Sequence, residues 1–308
     1  LASLLVKSHA LEGERAVVII DEYDAPLLDT LHNEEDLSAI RKVMQEFYTP
    51  LKANDGDLRF VFITGITKFS QMSIFSVINN LQNLSMLPKY STICGITEPE
   101  LKNVFAEDIN VLAQKHGCTV DEMLVLLKDN YDGYHFSKNM VGMYNPFSLL
   151  NAFDSLEIGN YWFETGTPSY LVELMQDQDM KLWNITKKLV SSDVLNSVDI
   201  ATTEPISVIF QSGYLTIKGY KNEYDGYLLG FPNEEVKRGF LRYLIPRYTS
   251  VRPSDTAFEI ESFVEEVRGG DISGFMKRLK SFFANTPYDL IKDTENHYQN
   301  VLFILCNL

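Results

Sequence analysis

Residues Ala16–Asp24 read AVVIIDEYD, five apolar residues running without interruption into adjacent carboxylates at Asp21 and Glu22. An unbroken apolar run of this length predicts a strand covered on both faces, as in a parallel sheet. A parallel neighbour can be reached only through a crossover connection, so the chain that follows is tightly constrained. It supplies what is required. Asp36–Leu51 places Leu37, Ile40, Val43, Met44, Phe47 and Leu51 on one helical face. Asn54-Asp55-Gly56-Asp57 is turn chemistry. Arg59–Ile63, RFVFI, is a second apolar run, and it ends in Thr64-Gly65. Strand, helix and strand at this separation predict a βαβ unit.

Ligands of such sheets collect at the carboxyl ends of the strands, where Asp21, Glu22 and Thr64 all fall. Two acids there are costly to bury unless a cation or partner offsets them. An apolar strand ending in Asp-Glu has the shape of a Walker B motif, in which Asp21 holds Mg²⁺ and Glu22 polarises the attacking water. The plainer reading is a core strand whose acids cap the next helix.

Charge and composition exclude other classes. The net charge of −15 argues against non-specific binding to nucleic acid or membranes. No apolar stretch approaches the roughly 18 residues needed to span a bilayer, and Leu1–Val6 is too short and lacks the basic lead of a secretory signal. Cys94, Cys118 and Cys306 are far apart and odd in number, which gives no disulfide framework or metal spacing and points to a reducing cytoplasm.

Further along, Thr97 and Thr119 are predicted N-caps with acids behind them, for helices over Thr97–Ala113 and from Thr119 onward. The stripe Met123, Leu124, Leu126 and Leu127 reads as core. Asp132 and His135 in Tyr131–Phe136 (YDGYHF) could form a metal or acid–base pair, but without a third ligand at metal spacing a packed aromatic loop is favoured. Asn145-Pro146 opens a helix. Asn79 and Asn80 read as helix surface, and Gly166-Thr167-Pro168 as a turn. Residues 181–250 carry nine Lys and Arg against seven Asp and Glu, residues 1–180 twelve against twenty-six. That less acidic stretch reads as helices followed by two strands, Tyr214–Tyr220 and Tyr227–Phe231, the order of a winged helix. Its candidate recognition helix, about Glu204–Ser212, lacks the Arg and Lys that grip DNA, so a structural wing is expected. Amphipathic helices are predicted over Thr256–Arg268, Ile272–Asn285 and Glu295–Leu308, the last with Tyr298, Val301, Leu302 and Leu305 on one face.

The stretch Thr64–Leu84 (TGITKFSQMSIFSVINNLQNL), taken with IDEYDAPL, closely resembles the AAA-ATPase-like family of bacterial P-loop proteins, often fused to a PD-(D/E)xK nuclease domain. The likeness continues through YDGYHFS, YNPFSLLNAF, YWFETGTPSYL, SGYLTIKGY and LGFPNEEVKRGF. It implies that Asp21 and Glu22 are the Walker B pair, that Thr64 is a sensor of the γ-phosphate, and that Lys68 touches phosphate; the plainer reading of Lys68 is a solvated loop lysine. It also implies ATP and Mg²⁺ as cofactors. One departure stands out: no GxxxxGK[ST] occurs in these residues, and in the family that loop should precede Leu1.

The expected fold is therefore α/β, with a parallel-sheet P-loop core over 1–115, a helical lid over 116–180, a winged helix over 181–250, and a helical connection with the first helix of a nuclease-like domain over 251–308. The expected function is a nucleotide-dependent switch in an ATPase–nuclease fusion that meets nucleic acid through the nuclease, with no membrane partner. The alternatives are a non-catalytic interaction module with a decayed ATPase core and a winged-helix DNA-binding regulator.

Overall fold

The computed structural model describes the chain except residues 29, 31–33, 67–80, 163–170, 172–174, 176–179, 187, 197–204, 250 and 285–293. Lys68, Asn79, Asn80 and the Gly166-Thr167-Pro168 turn lie outside the described residues. The fold is mixed α/β, mostly helical, and divides into two compact units: residues 1–84 with 191–212, and residues 85–190 with 213–308.

In the first unit, α1 (Ala2–Glu12) ends at Gly13, whose φ of 70° lies in the left-handed region that closes helices. β1 (Ala16–Ile20) follows, then the short α2 (Ala25–Leu28), α3 (Glu34–Ala53) and β2 (Leu58–Ile63). β1 and β2 pair in parallel, with Val17 opposite Phe60, Ile19 opposite Phe62 and Ile20 opposite Ile63. The predicted βαβ unit is thus present. Its burial is not as expected. Val17 and Ile19 are 53% and 70% exposed, and Phe60 is 54% exposed. Among the described residues the sheet has two strands; Val17, Ile19, Phe60 and Phe62 share one face, and that face is not covered as the faces of a parallel sheet ordinarily are. The α3 stripe is also rotated. Leu37, Met44, Tyr48 and Leu51 are buried, while Val43 and Phe47 face water. The helices α8 (Ser192–Asn196) and α9 (Pro205–Gln211) belong to this unit too. Pro205 to Ile209 are all buried, so the segment read as a candidate recognition helix is core material.

The second unit begins with four helices. The predicted helix over Thr97–Ala113 is two, α4 (Glu98–Val104) and α5 (Ala106–His116), broken at Phe105, whose backbone leaves helical values. α6 (Val120–Tyr131) and α7 (Pro146–Ser155) complete the set. Thr97 and Thr119 each close a capping box, with Glu100 and Glu122 reaching back to the cap N–H at 2.9 and 2.8 Å. Asn145 caps α7 as expected. The core between these helices holds Leu101, Leu112, Met123, Leu127, Tyr131, Tyr144 and Leu149; Leu126 is 40% exposed and outside it.

Strands β3 (Leu189–Ser191), β4 (Thr216–Lys221) and β5 (Gly226–Gly230) form a sheet of order β3–β5–β4, with β4 and β5 an antiparallel hairpin. The hairpin runs into α10 (Glu234–Tyr248), capped by Asn233, then α11 (Thr256–Arg268), α12 (Ile272–Ala284) and α13 (Thr294–Asn307). On α13 the buried positions are Val301 and Ile304 together with Asn296, His297 and Asn300. The helix turns a partly polar face inward because Asn300 bonds the backbone at Leu182 and Met180, both at 2.8 Å. Tyr298 is 38% exposed.

Candidate functional site at the strand ends

The parallel ladder continues past the strands. Thr64 N–H donates to Ile20 O at 2.8 Å, and Tyr23 N–H donates to Thr64 O at 3.0 Å. This lacing fixes the first residues after β1 beside the first residue after β2. The Thr64 hydroxyl consequently donates to Asp21 Oδ1, and the same carboxylate oxygen accepts from Glu22 N–H at 3.0 Å. Asp21 and Glu22 are exposed and Thr64 is half-buried. Glu22 has a φ of 50°, a left-handed conformation that is strained for a non-glycine residue. The structure therefore brings Asp21, Glu22 and Thr64 together; Lys68 lies outside the described residues.

The sequence reading passed over a third acid. Asp24 is 1% exposed; its carbonyl accepts from Leu27 and Leu28 N–H at the start of α2, and its Oδ1 accepts from Ile66 N–H at 3.2 Å. The chain after β2 is thereby tied to the chain after β1. Gly65 sits in the tie, where a Cβ would fall onto Asp24 Oδ1 and the Tyr23 ring. The nearby Tyr48 hydroxyl is pushed above its ordinary value, first by burial and then by the Asp24 charge. The signal was available: an Asp directly before Ala-Pro is a helix-start signature.

The donor set at the strand ends is oxygen alone: the carboxylates of Asp21 and Glu22 and the hydroxyl of Thr64. That is the chemistry Mg²⁺ takes, since it is commonly held by one or two carboxylates with waters filling the rest of its octahedron. Among the described residues no group of three or more His, Cys, Asp or Glu is placed to hold a metal. A cation held mainly through water fits the arrangement, whereas a closed protein cage does not.

In the second unit the remaining motifs pack against one another. The hydroxyl of Tyr134 donates to Gly213 O at 3.1 Å. Thr216 Oγ1 accepts from His135 N–H at 2.7 Å and lies 3.1 Å from His135 O, to which it donates. His135 Nδ1–H donates to Ile217 O at 2.9 Å, and burial pushes the imidazole below its ordinary value. Asn233 Nδ2 donates to Asp132 O at 2.9 Å. Gly133, at φ 94°, lies where a Cβ would fall onto the Pro232 carbonyl oxygen. YDGYHF is thus an aromatic loop packed and pinned to the hairpin.

Residues 1–75 match the model of a family described as "Predicted AAA-ATPase" (AAA-ATPase-like). The chain is also 32% identical over 307 residues to an uncharacterized protein encoded in the vnfD 5′ region of Azotobacter chroococcum mcd 1; the match covers 97% of this chain and 57% of that relative. The chain thus spans little more than half the length of that relative. No solved structure matches significantly. Among the described residues no helix is long and apolar enough to cross a membrane.

Proposed function

We propose that the strand-end cluster is the cation and water-activating half of an ATP site, and that the chain is part of a nucleotide-dependent switch. The observation that carries this reading is the contact between the Thr64 hydroxyl and Asp21 at the ends of adjacent parallel strands, with Glu22 next in the chain and its N–H on the same carboxylate oxygen. Asp21 would hold Mg²⁺. That ion, when bound, would neutralise charge on the phosphate oxygens of ATP. Glu22 reaches solvent and can accept a proton from an attacking water. Thr64 orients the Asp21 carboxylate through Oδ1 and would sense a terminal phosphate, to which Lys68 would add a cation. The match to an ATPase family over residues 1–75 supports the assignment.

The finer expectations are part of the proposal: a P-loop core, a helical lid, a winged helix that packs instead of reading DNA, and fusion to a nuclease that supplies the contact with nucleic acid. The test is ATP binding and turnover. The 308 residues contain no GxxxxGK[ST], so this chain is expected to turn over no ATP. A polypeptide in which such a loop precedes Leu1 is expected to hydrolyse ATP slowly, and Glu22→Gln in it to stop turnover while nucleotide binding persists. Equal turnover in that polypeptide and its Glu22→Gln variant would remove Glu22 from the chemistry. Robust turnover by the 308-residue chain would overturn the assignment.

A further inference from the structure

The second unit contains a carboxyl that no functional reading uses. Glu235 lies in the first turn of α10 and is 0% exposed. Its Oε1 accepts from Trp162 N–H at 2.9 Å. Among the described residues its Oε2 makes no hydrogen bond of good geometry, and neither does the Oγ of Ser148, a fully buried residue of α7 that lies close enough to bear on the carboxyl. Glu235 thereby gathers sequence motifs that lie far apart in the chain: YNPFS through Ser148, YWF through Tyr161 and Trp162, YDGY through Tyr131 and Tyr134, and FPNEE through itself.

The groups that bear on its ionisation are the backbone N–H groups of Trp162 and Tyr161 and the Ser148 hydroxyl, each favouring the anion, opposed by the larger effect of burial. Among the described residues no Lys, Arg or His is one of them. The phenols that feel Glu235 from α6 and the following loop, Tyr131 and Tyr134, are themselves pushed up by burial first and stay neutral. The positive end of α10 also favours the anion, but a helix terminus is worth less than the desolvation of a buried charge with no counter-ion. Protonated, Glu235 still accepts from Trp162 through Oε1 and offers an O–H from Oε2 toward Ser148. Ionised, it can regain hydration only if the first turn of α10 parts from α7 and from Tyr161–Trp162.

We propose that Glu235 is a proton-operated latch: uncharged, it holds the first turn of α10 against α7 and Trp162, and loss of its proton opens that contact to water.

The test uses the whole chain. Infrared difference spectra of wild type against Glu235→Gln should show a protonated-carboxyl band that the variant lacks and that persists above the ordinary carboxyl value of 4.5. Trp183→Phe leaves Trp162 the single tryptophan of the two in the chain. In that background Trp162 emission, which reports on its edge contact with Tyr214 at 4.9 Å, should shift as pH rises through the raised value of Glu235, and Glu235→Gln should remove the shift. Gln keeps the acceptor for Trp162 and a donor for Ser148, so the variant should fold; Glu235→Ala is expected to be poorly folded at every pH. A wild type whose band is lost at or below the ordinary carboxyl value of 4.5 would overturn the proposal. So would a Trp162 shift that survives Glu235→Gln.

Discussion

The strand-end region of the first unit and the helical core of the second treat acids and apolar residues in opposite ways. In the first, large apolar side chains of the β1–β2 sheet stand in water and the paired acids at the strand ends stand in water beside them. In the second, Leu112, Met123, Leu127 and Tyr131 are sealed between helices, and Glu235 is sealed with the motifs it joins. Exposed acids remain within reach of a cation from solvent. A sealed acid is structural unless its charge changes. The strand-end acids are therefore open to a ligand in a way that Glu235 is not, although burial perturbs Glu235.

This contrast can be broken by measurement. The largest effect is expected in the helical core. Leu127→Ala deletes a side chain with 0% exposure and should cost about 2–5 kcal/mol in urea unfolding, from lost burial and the cavity left behind. The matching change on the sheet face, Ile19→Ala, should stay within about 0.5 kcal/mol. A comparable loss at Ile19 would show that the sheet face is covered in solution.

Next comes backbone geometry. Gly133→Ala places a Cβ against the Pro232 carbonyl at a positive φ and should cost about 1–3 kcal/mol. Gly13 has a similarly positive φ but nothing within 4 Å of an added Cβ, so Gly13→Ala should cost less in the same assay. Thr119→Ala removes a capping box and should cost about 0.5–2 kcal/mol, read as a lower melting temperature of the second unit.

The smallest effects are titrations, and they have opposite signs. Glu100 and Glu122 are held below the ordinary value of 4.5 by their threonine caps. Their contribution is fully present above about pH 4.5 and is lost as pH falls through their lowered values. Glu235 is held above 4.5 by burial, so its contribution is full below about pH 4.5 and is lost as pH rises through its raised value. Denaturation curves should show Glu122→Gln differing from wild type most above pH 4.5 and converging with it in acid. Glu235→Gln should gain on wild type as pH rises.

The parallel βαβ unit was legible because a continuous apolar run, an amphipathic helix and a second apolar run leave few other topologies. The strand-end cluster was legible for the same reason, since Asp21 and Thr64 follow directly from the ends of β1 and β2. The threonine caps could be read from four-residue patterns. Burial could not be read locally. Val17 and Ile19 look like core, and whether they are depends on what covers the sheet. Val43 and Phe47 fit the apolar periodicity of α3, yet Tyr48 is the buried aromatic. Asn296, His297 and Asn300 look like surface and are buried because the backbone at Met180 and Leu182 supplies partners for Asn300 from over a hundred residues away. Glu235 was invisible for the same reason, because its partners come from segments far apart in sequence.

The left-handed backbone at Glu22 carries a consequence for how this position can change over generations. Glycine or asparagine would adopt that conformation at lower cost, and either would remove the carboxylate. Selection for folding alone thus pushes the residue away from glutamate. A library randomised at this codon and sorted only for thermal resistance should drift to Gly and Asn. One sorted for a task that uses the acid should hold Glu and tolerate the strain, so the outcome at one codon separates a working position from an inherited one.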